Sequence, residues 1–287
     1  MTEYTYKPLQ FDDQTLKLYS EFLSRHYKRP DLFTFEYVKW QYAENPVGKA
    51  VGCDVFFDGE LVSHGAAVPQ RAFILGEEET WLLQVNFMTV KEHRRKGLSA
   101  EVANRMEGLG YDLGHTFAIG IANRNSTPYS VKARGMELSA TLDARIGTGP
   151  TRKKKNGFAD YDFRVLWDKE SLAWRLKRPG PLYWKKEKRG NCAVFTPSGK
   201  PGFKTLLGNF AAQEVGEAVS GRGKFGLPLT LWIGIDPQID WGKSLYFNLP
   251  GWLRQSPLNV VFKDLSGRKR SLTGKKILFQ SLDFDAF

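Results

Sequence analysis

Cysteine is nearly missing from this 287-residue chain: Cys53 and Cys192 are the only two. Each sits in a strand-like segment with no cysteine or histidine at ligand spacing. Two such residues exclude a disulfide-stapled scaffold, give no metal site, and are read as small core residues of a protein in a reducing compartment, the cytoplasm. Histidine is also scarce, with 4 in all, so candidate general bases are few. No apolar run approaches the roughly 18 residues of a membrane helix, and no membrane span is expected. The segment Met1–Pro8 has neither the basic nor the apolar stretch of a signal peptide. There is no P-loop, no H-E-x-x-H and no G-x-S-x-G elbow.

What the chain does hold is apolar and aromatic mass. Hydrophobic residues make up 41%, with 20 Phe, 11 Tyr and 8 Trp, enough for a substantial core in one large domain or two ordinary ones. The net charge of +11 is placed unevenly, with a balance of −2 over residues 1–150 and +13 over 151–287. A basic half points to an anionic partner such as nucleotide phosphates, nucleic acid or a membrane surface; it equally suits a solvated face.

Leu16, Tyr19, Phe22 and Leu23 share one face of a helix that Pro30 stops, and a second helix spans about Thr34 to Ala43 before Asn45-Pro46. Strands are expected at Cys53–Phe57 and Leu61–Val68 around the turn Asp58-Gly59, at Phe73–Leu75, and at Trp81–Val90, whose apolar run suits a central strand. A basic turn at Lys91–Gly97, a helix from Leu98, the strand His115–Ala122, a polar loop and a short helix follow. Thr148–Gly157 is charged and turn-forming and reads as a linker. It divides the chain into domains 1–150 and 151–287. Beyond it, Trp174-Arg-Leu-Lys-Arg-Pro179 echoes Trp40-Gln-Tyr-Ala-Glu-Asn-Pro46, as a diverged duplication of one α/β unit would. Phe203–Val219 reads as a helix, Leu229–Ile235 and Lys276–Leu282 as strands.

Chemistry concentrates where the central strand ends, at Phe87-Met-Thr-Val-Lys-Glu-His-Arg-Arg-Lys-Gly-Leu-Ser99. A helix starting there offers unpaired N–H groups and the positive end of its dipole to an anion. Gly97 permits close approach, Ser99 avoids crowding, and Arg94, Arg95 and Lys96 add charge. Arg94-x-x-Gly97-x-Ser99 resembles the coenzyme A signature of the GNAT superfamily of N-acyltransferases, R/Q-x-x-G-x-G/A, with serine as a departure in the last place. Downstream, Asn123-Arg-Asn-Ser-Thr-Pro-Tyr-Ser-Val-Lys-Ala-Arg-Gly-Met136 is similar to the N-x-N-S-x-P…K-x-G-F variant of that family, with one extra residue before Gly135 and Met136 for the usual aromatic. The resemblance covers residues 1–147. It implies a GNAT-like mixed sheet flanked by helices, an α/β fold, with the second half a degenerate GNAT-like α/β repeat.

The resemblance assigns roles. The backbone around Met88 and Val90 would pair with the pantetheine arm of acyl-coenzyme A, and N–H groups from Arg95 through Lys96, Gly97 and Leu98 to Ser99 would hold the pyrophosphate. A backbone N–H near Thr89 or Val90 would stabilise the oxyanion. Asn125 and Ser126 would bond the co-substrate, and Tyr129 would protonate the departing thiolate, unless it is a packed aromatic. The central strand offers Gln84 and Asn86 but no carboxylate. His64 is therefore the titratable candidate for a base; a structural histidine, a water relay or an amine bound neutral are the alternatives. Trp40, Tyr42 and Asn45 would face the acceptor, unless the two aromatics are plain core. Gly221-Arg-Gly-Lys-Phe-Gly226 matches G-x-G-x-x-G but lacks the strand before and helix after that dinucleotide binding requires. Two-domain members resemble enzymes acting on nucleotide-linked amino sugars for surface polysaccharides, so the expected partner is a small, phosphate-bearing acceptor rather than nucleic acid. A tRNA-dependent aminoacyl or peptidyl transferase and a non-catalytic acyl-CoA sensor are the other readings.

Overall fold

The computed structural model describes residues 3–155, 160–188, 190–198, 202–215, 219, 229–251, 254 and 256–284. The chain opens with strand β1 (Thr5–Pro8) and helices α1 (Asp13–Tyr27) and α2 (Phe35–Ala43). Asp12 and Thr34 accept the N–H of Thr15 and Tyr37 and so fix the two helix starts. A meander follows, β2 (Val51–Phe57), β3 (Glu60–Ile74) and β4 (Glu77–Thr89). Its first turn has φ of 51° at Asp58 and 81° at Gly59, the two-residue geometry that matches strand twist.

Next come a 3-10 turn at Lys91–His93, α3 (Leu98–Asp112), β5 (Phe117–Ala122), α4 (Thr127–Lys132), β6 (Glu137–Thr141) and β7 (Asp143–Gly147). The remainder holds β8 (Phe163–Val165), α5 (Lys169–Leu176), β9 (Trp184–Lys188), β10 (Asn191–Pro197), β11 (Lys204–Ala211), α6 (Ala212–Val215), β12 (Thr230–Ile235), β13 (Tyr246–Asn248), β14 (Asn259–Asp264) and β15 (Ile277–Gln280). The fold is mixed α/β. No helix among the described residues is long and apolar enough to cross a membrane.

Two element expectations are corrected. The segments expected as separate strands at 61–68 and 73–75 are one strand, β3. It pairs with β2 as far as Ala67 and with β8 from Ala72, and Pro69 falls in the gap between these partners. The expected helix Phe203–Val219 is instead β11 followed by the short α6. Its apolar residues are buried on both faces, and a run of that kind carries no period that separates helix from strand. The Gly221–Gly226 motif lies outside the described residues.

Among the described residues the strands form one hydrogen-bonded system, with the order β6-β14-β5-β4-β3-β8-β15-β12-β11-β10-β9 along its main path. Helices α1 and α2 cover one face of the first part, through Leu16, Tyr19, Leu23 and Val38. Helix α3 covers the other, with Met106 packed on Leu82 and Ala118. The two parts of the chain exchange strands. β14 lies between β5 and β6, from Asn259↔Ala122 to Asp264↔Phe117, whereas β7 leaves for β12 and β13. The expected linker is tied down at its start: Thr148 N–H donates to Leu245 O at 3.0 Å and Tyr246 Oη to Gly149 O at 3.0 Å.

The echo between the halves has a physical counterpart. Trp40 at the end of α2 stacks on Trp174 at the end of α5, with centroids 4.8 Å apart and planes at 17°. Each indole N–H donates to the other residue's carbonyl, at 2.9 and 3.1 Å. Such reciprocity is what a local two-fold produces, residue i meeting j as j meets i.

Candidate active site

Parallel pairing between β4 and β5 lasts only from Leu82↔Ala118 to Gln84↔Gly120. Beyond it the register of β4 against β3 jumps between His64 and Ala66, and Asn86 takes φ of 56°. Asparagine tolerates that left-handed conformation better than most residues, and the bulge bends β4 away from β5. A cleft of ≈ 410 Å³ opens between them, walled by Phe87 and Asn86 on one side and by Ser126 and Tyr129 on the other.

The backbone of β4 presents donors to this cleft. Val90 N–H donates to Val62 O at 2.9 Å, so by strand alternation Met88 and Val90 face β3 while Phe87 and Thr89 face the cleft. Tyr27 Oη donates to Phe87 O at 2.8 Å and Arg94 Nε to Thr89 O at 2.9 Å. The carbonyls on the open edge are thus taken, and the N–H groups of Phe87 and Thr89 are left to a ligand.

At the cleft's mouth α3 begins. Gly97 is its N-cap with φ of 78°, and a side chain there would meet nothing within 4 Å. Among the described residues the N–H groups of Arg95, Lys96, Gly97, Leu98 and Ser99 have no acceptor, whereas Ala100 and Glu101 already bond Gly97 O. Ser99 lines the cleft. Arg94 and Lys96 are partly committed elsewhere, the first to Thr89 O and the second to Tyr4 Oη at 3.1 Å. Both acceptors are neutral, so these side chains keep their charge and, with Arg95, add to the positive end of the helix dipole.

A second network reaches the cleft from behind. Asn86 Nδ2 donates to Gln41 Oε1 at 2.7 Å and to Tyr42 Oη at 2.9 Å, which uses both amide hydrogens and leaves Oδ1 as the outward group. Tyr42 then donates to His64 Nε2 at 2.9 Å, and His64 Nδ1–H to Asp54 Oδ1 at 2.7 Å. Tyr19 donates to the other Asp54 oxygen at 2.6 Å. Burial holds both Tyr42 and Tyr19 well above the ordinary phenol range, Tyr19 with help from the Asp54 charge, so both stay neutral donors. Asp54, His64 and Tyr42 are all buried.

No family model matches the sequence, and no curated protein matches it. Solved structures do. A conserved protein of unknown function from Enterococcus faecalis V583, described as a probable N-acyltransferase, superposes with a TM-score of 0.61 at 12% identity, over 93% of this chain and 73% of that one. A GCN5-related N-acetyltransferase from Anabaena variabilis gives 0.60 at 11% identity, over 91% and 73%. Saccharomyces cerevisiae N-myristoyltransferase with bound myristoyl-CoA gives 0.57 at 11%, over 92% and 79%. The chain has the GCN5-related N-acetyltransferase fold.

Within the GNAT fold, the structure brings some of the sequence-derived residues together and separates others. Ser99, Gln84, Asn86, Ser126 and Tyr129 line the cleft. Asn125 is exposed in the loop before α4, where its N–H bonds Asn123 Oδ1. Met88 and Val90 turn their backbone groups to β3, and the N–H groups of Phe87 and Thr89 are the ones that face the cleft. His64 is buried in the network and does not line the cleft, so as placed it reaches an acceptor only through Tyr42 and Asn86. Tyr42 belongs to the same network. Trp40 packs on Trp174, and Asn45 is spent on Pro69 O and Val47 N–H.

Sequence reasoning missed the floor of the cleft. Arg134 donates to Gln84 Oε1 and Glu107 Oε1, and Lys263 Nζ reaches Glu107 Oε2. Glu107 stands on α3 and Lys263 on β14, and nothing local in the sequence joins them.

Proposed function

We propose that the chain is an N-acyltransferase that moves an acyl group from coenzyme A to a primary amine of a small acceptor. One observation carries the reading: five unpaired N–H groups at the start of a 15-residue helix stand at one end of a cleft whose wall offers two more. The first set suits a diphosphate. The second suits the oxygens of an extended amide-containing arm, which lies along β4 as another strand would.

The acceptor enters on the side of Asn86 and Tyr27. Asn86 Oδ1, fixed outward, accepts one N–H of the amine and points its lone pair at the thioester carbon. As the C–N bond forms, the carbonyl oxygen gains charge, and the Thr89 N–H stabilises it by about 3 kcal/mol. The C–S bond then breaks, and Tyr129 gives the leaving sulfur its proton. No carboxylate stands on the cleft side of β4, so the amine arrives neutral or first sheds a proton to water, and the proton that the nitrogen carries after attack passes through water to restore Tyr129.

We assign acyl-CoA binding to residues 1–150 and take 151–287 as a degenerate copy that helps hold the acceptor. The reciprocal Trp40–Trp174 contact supports the duplication. The charge of +13 in the second half supports a phosphate-bearing acceptor, best a nucleotide-linked amino sugar.

The experiment is titration of coenzyme A into wild type and Gly97→Trp. An indole at residue 97 lies across the unpaired amides, so affinity drops by at least about 100-fold, near 2.7 kcal/mol, while circular dichroism shows retained structure. Unchanged affinity in a folded variant ends the reading. Coenzyme A release with free and nucleotide-linked amino sugars then tests the acceptor.

A further inference from the structure

The closed end of the cleft bears on the chemistry of the acyl group. β4 and β5 part at Gln84↔Gly120, so these residues form the floor, the part farthest along β4 from Ser99. An arm anchored at the start of α3 brings its thioester to the Thr89 N–H, and the acyl group then runs back past Phe87 toward that floor.

This floor is polar and cationic. Arg134 is 8% exposed; its Nη1 donates to Gln84 Oε1 at 2.8 Å and its Nη2 to Glu107 Oε1 at 2.5 Å, and its buried Nε has no partner. A guanidinium carries five N–H donors, of which these bonds use two. The single carboxylate, Glu107, is also shared with Lys263 at 2.6 Å, so one anion answers two cations. Gly120 keeps the space open, since a Cβ there would lie 3.2 Å from Val261 and 3.4 Å from Gln84. An alkyl terminus in this place would shield the cations from water and replace none of their bonds. A carboxylate would take up the unused donors in a charge-assisted pair.

Resting on the acyl-CoA reading above, the geometry points to a donor with a short acyl group ending in a carboxylate, a dicarboxylic monothioester, recognised by Arg134. The Arg134–Glu107–Lys263 cluster is then the specificity-determining element of the donor site.

Calorimetric titration of the full chain with coenzyme A, acetyl-CoA, succinyl-CoA and hexanoyl-CoA tests this without knowledge of the acceptor. Succinyl-CoA is expected to bind at least about tenfold more tightly than hexanoyl-CoA, and Arg134→Gln to bring the two within about threefold of each other. Should that variant fail to fold, the wild-type comparison decides alone. Equal or tighter binding of hexanoyl-CoA overturns the proposal, as does a preference that Arg134→Gln leaves intact. If coenzyme A itself does not bind, the acyl-CoA reading fails and takes this inference with it. If it binds and no carboxylate preference appears, only this inference fails.

Discussion

Asn86 combines a backbone that bends the central strand with a side chain whose two hydrogens are committed inward. Its outward carbonyl oxygen is therefore held by Tyr42, and Tyr42 in turn by His64 and Asp54. Removing the Tyr42 hydroxyl leaves the buried His64 Nε2 and one of the two Asn86 amide hydrogens without a partner, and each orphaned group costs about 1–3 kcal/mol. Tyr42→Phe is expected to lower unfolding free energy in urea by that amount or somewhat more, and to raise the KM for the amine as Asn86 loses its fixed orientation. Thr89 allows a cleaner test, because its N–H points to the cleft and not into the ladder. Thr89→Pro is expected to keep the melting temperature within a few degrees while lowering kcat about 10²-fold, the usual loss for one oxyanion donor; an unchanged kcat places the oxyanion elsewhere. The strand end, the glycine at the N-cap and the helix start were legible in the sequence because they are local, within a dozen residues. The faces of His64 and Tyr42 were not, since a histidine on a strand or a tyrosine on a helix carries no mark of the partners that bury it. Nor was the split between Met88 and Phe87, which turns on a single-residue bulge at Asn86.

At the scale of elements, the apolar period found α1, α2 and α3, and the Asp58-Gly59 pair found the β2–β3 turn, because each signal belongs to one segment. It failed on β11, buried on both faces, and on the length of β3, read as two strands although Pro69 between them only marks a gap between partners. The aromatic echo between α2 and α5 was visible as a spacing; its meaning, a stacked and doubly hydrogen-bonded contact, was not. That contact makes a quantitative prediction. Trp40→Ala should destabilise by about 3–5 kcal/mol and Trp174→Ala by less, because Trp40 is buried in the core and Trp174 only partly so. The double variant should fall well short of the sum, since each change already removes the shared stack and both indole bonds. Additive losses in a denaturation cycle would mean that the two helices are held independently of this pair.

Across the whole molecule, stability depends on a carboxyl group that closes the chain's end. Asp283 is buried between the Trp167 indole N–H, at 2.8 Å, and the Gln280 N–H, at 2.6 Å, and burial outweighs these donors and raises it to about 7. In the unfolded chain it titrates near 3.9. Between these values the folded state holds a proton that the unfolded state has lost, so stability declines as pH rises from about 4 to about 7 and levels off above. Asp283→Asn should flatten that slope in melts taken across the same range. A larger dependence lies in the exchanged strands. Residues 1–150 contain the proposed cofactor cradle and every residue assigned to the transfer step, and the charge balance divides there too, yet a chain ending at that point lacks β14. Strands β5 and β6 then lose the partner between them, which contributes Val260, Val261 and Phe262 to the core. β3 also loses β8 along its far end, and β7 has no β12 or β13 to join. Unpaired strands with one apolar face left open cannot satisfy their backbone in a core. The fragment 1–150 is expected to melt without cooperativity and to bind a hydrophobic dye, and adding 151–287 in trans should restore a sigmoidal transition. A cooperative melt from the fragment alone would show that the exchanged strands decorate two independent units instead of completing one.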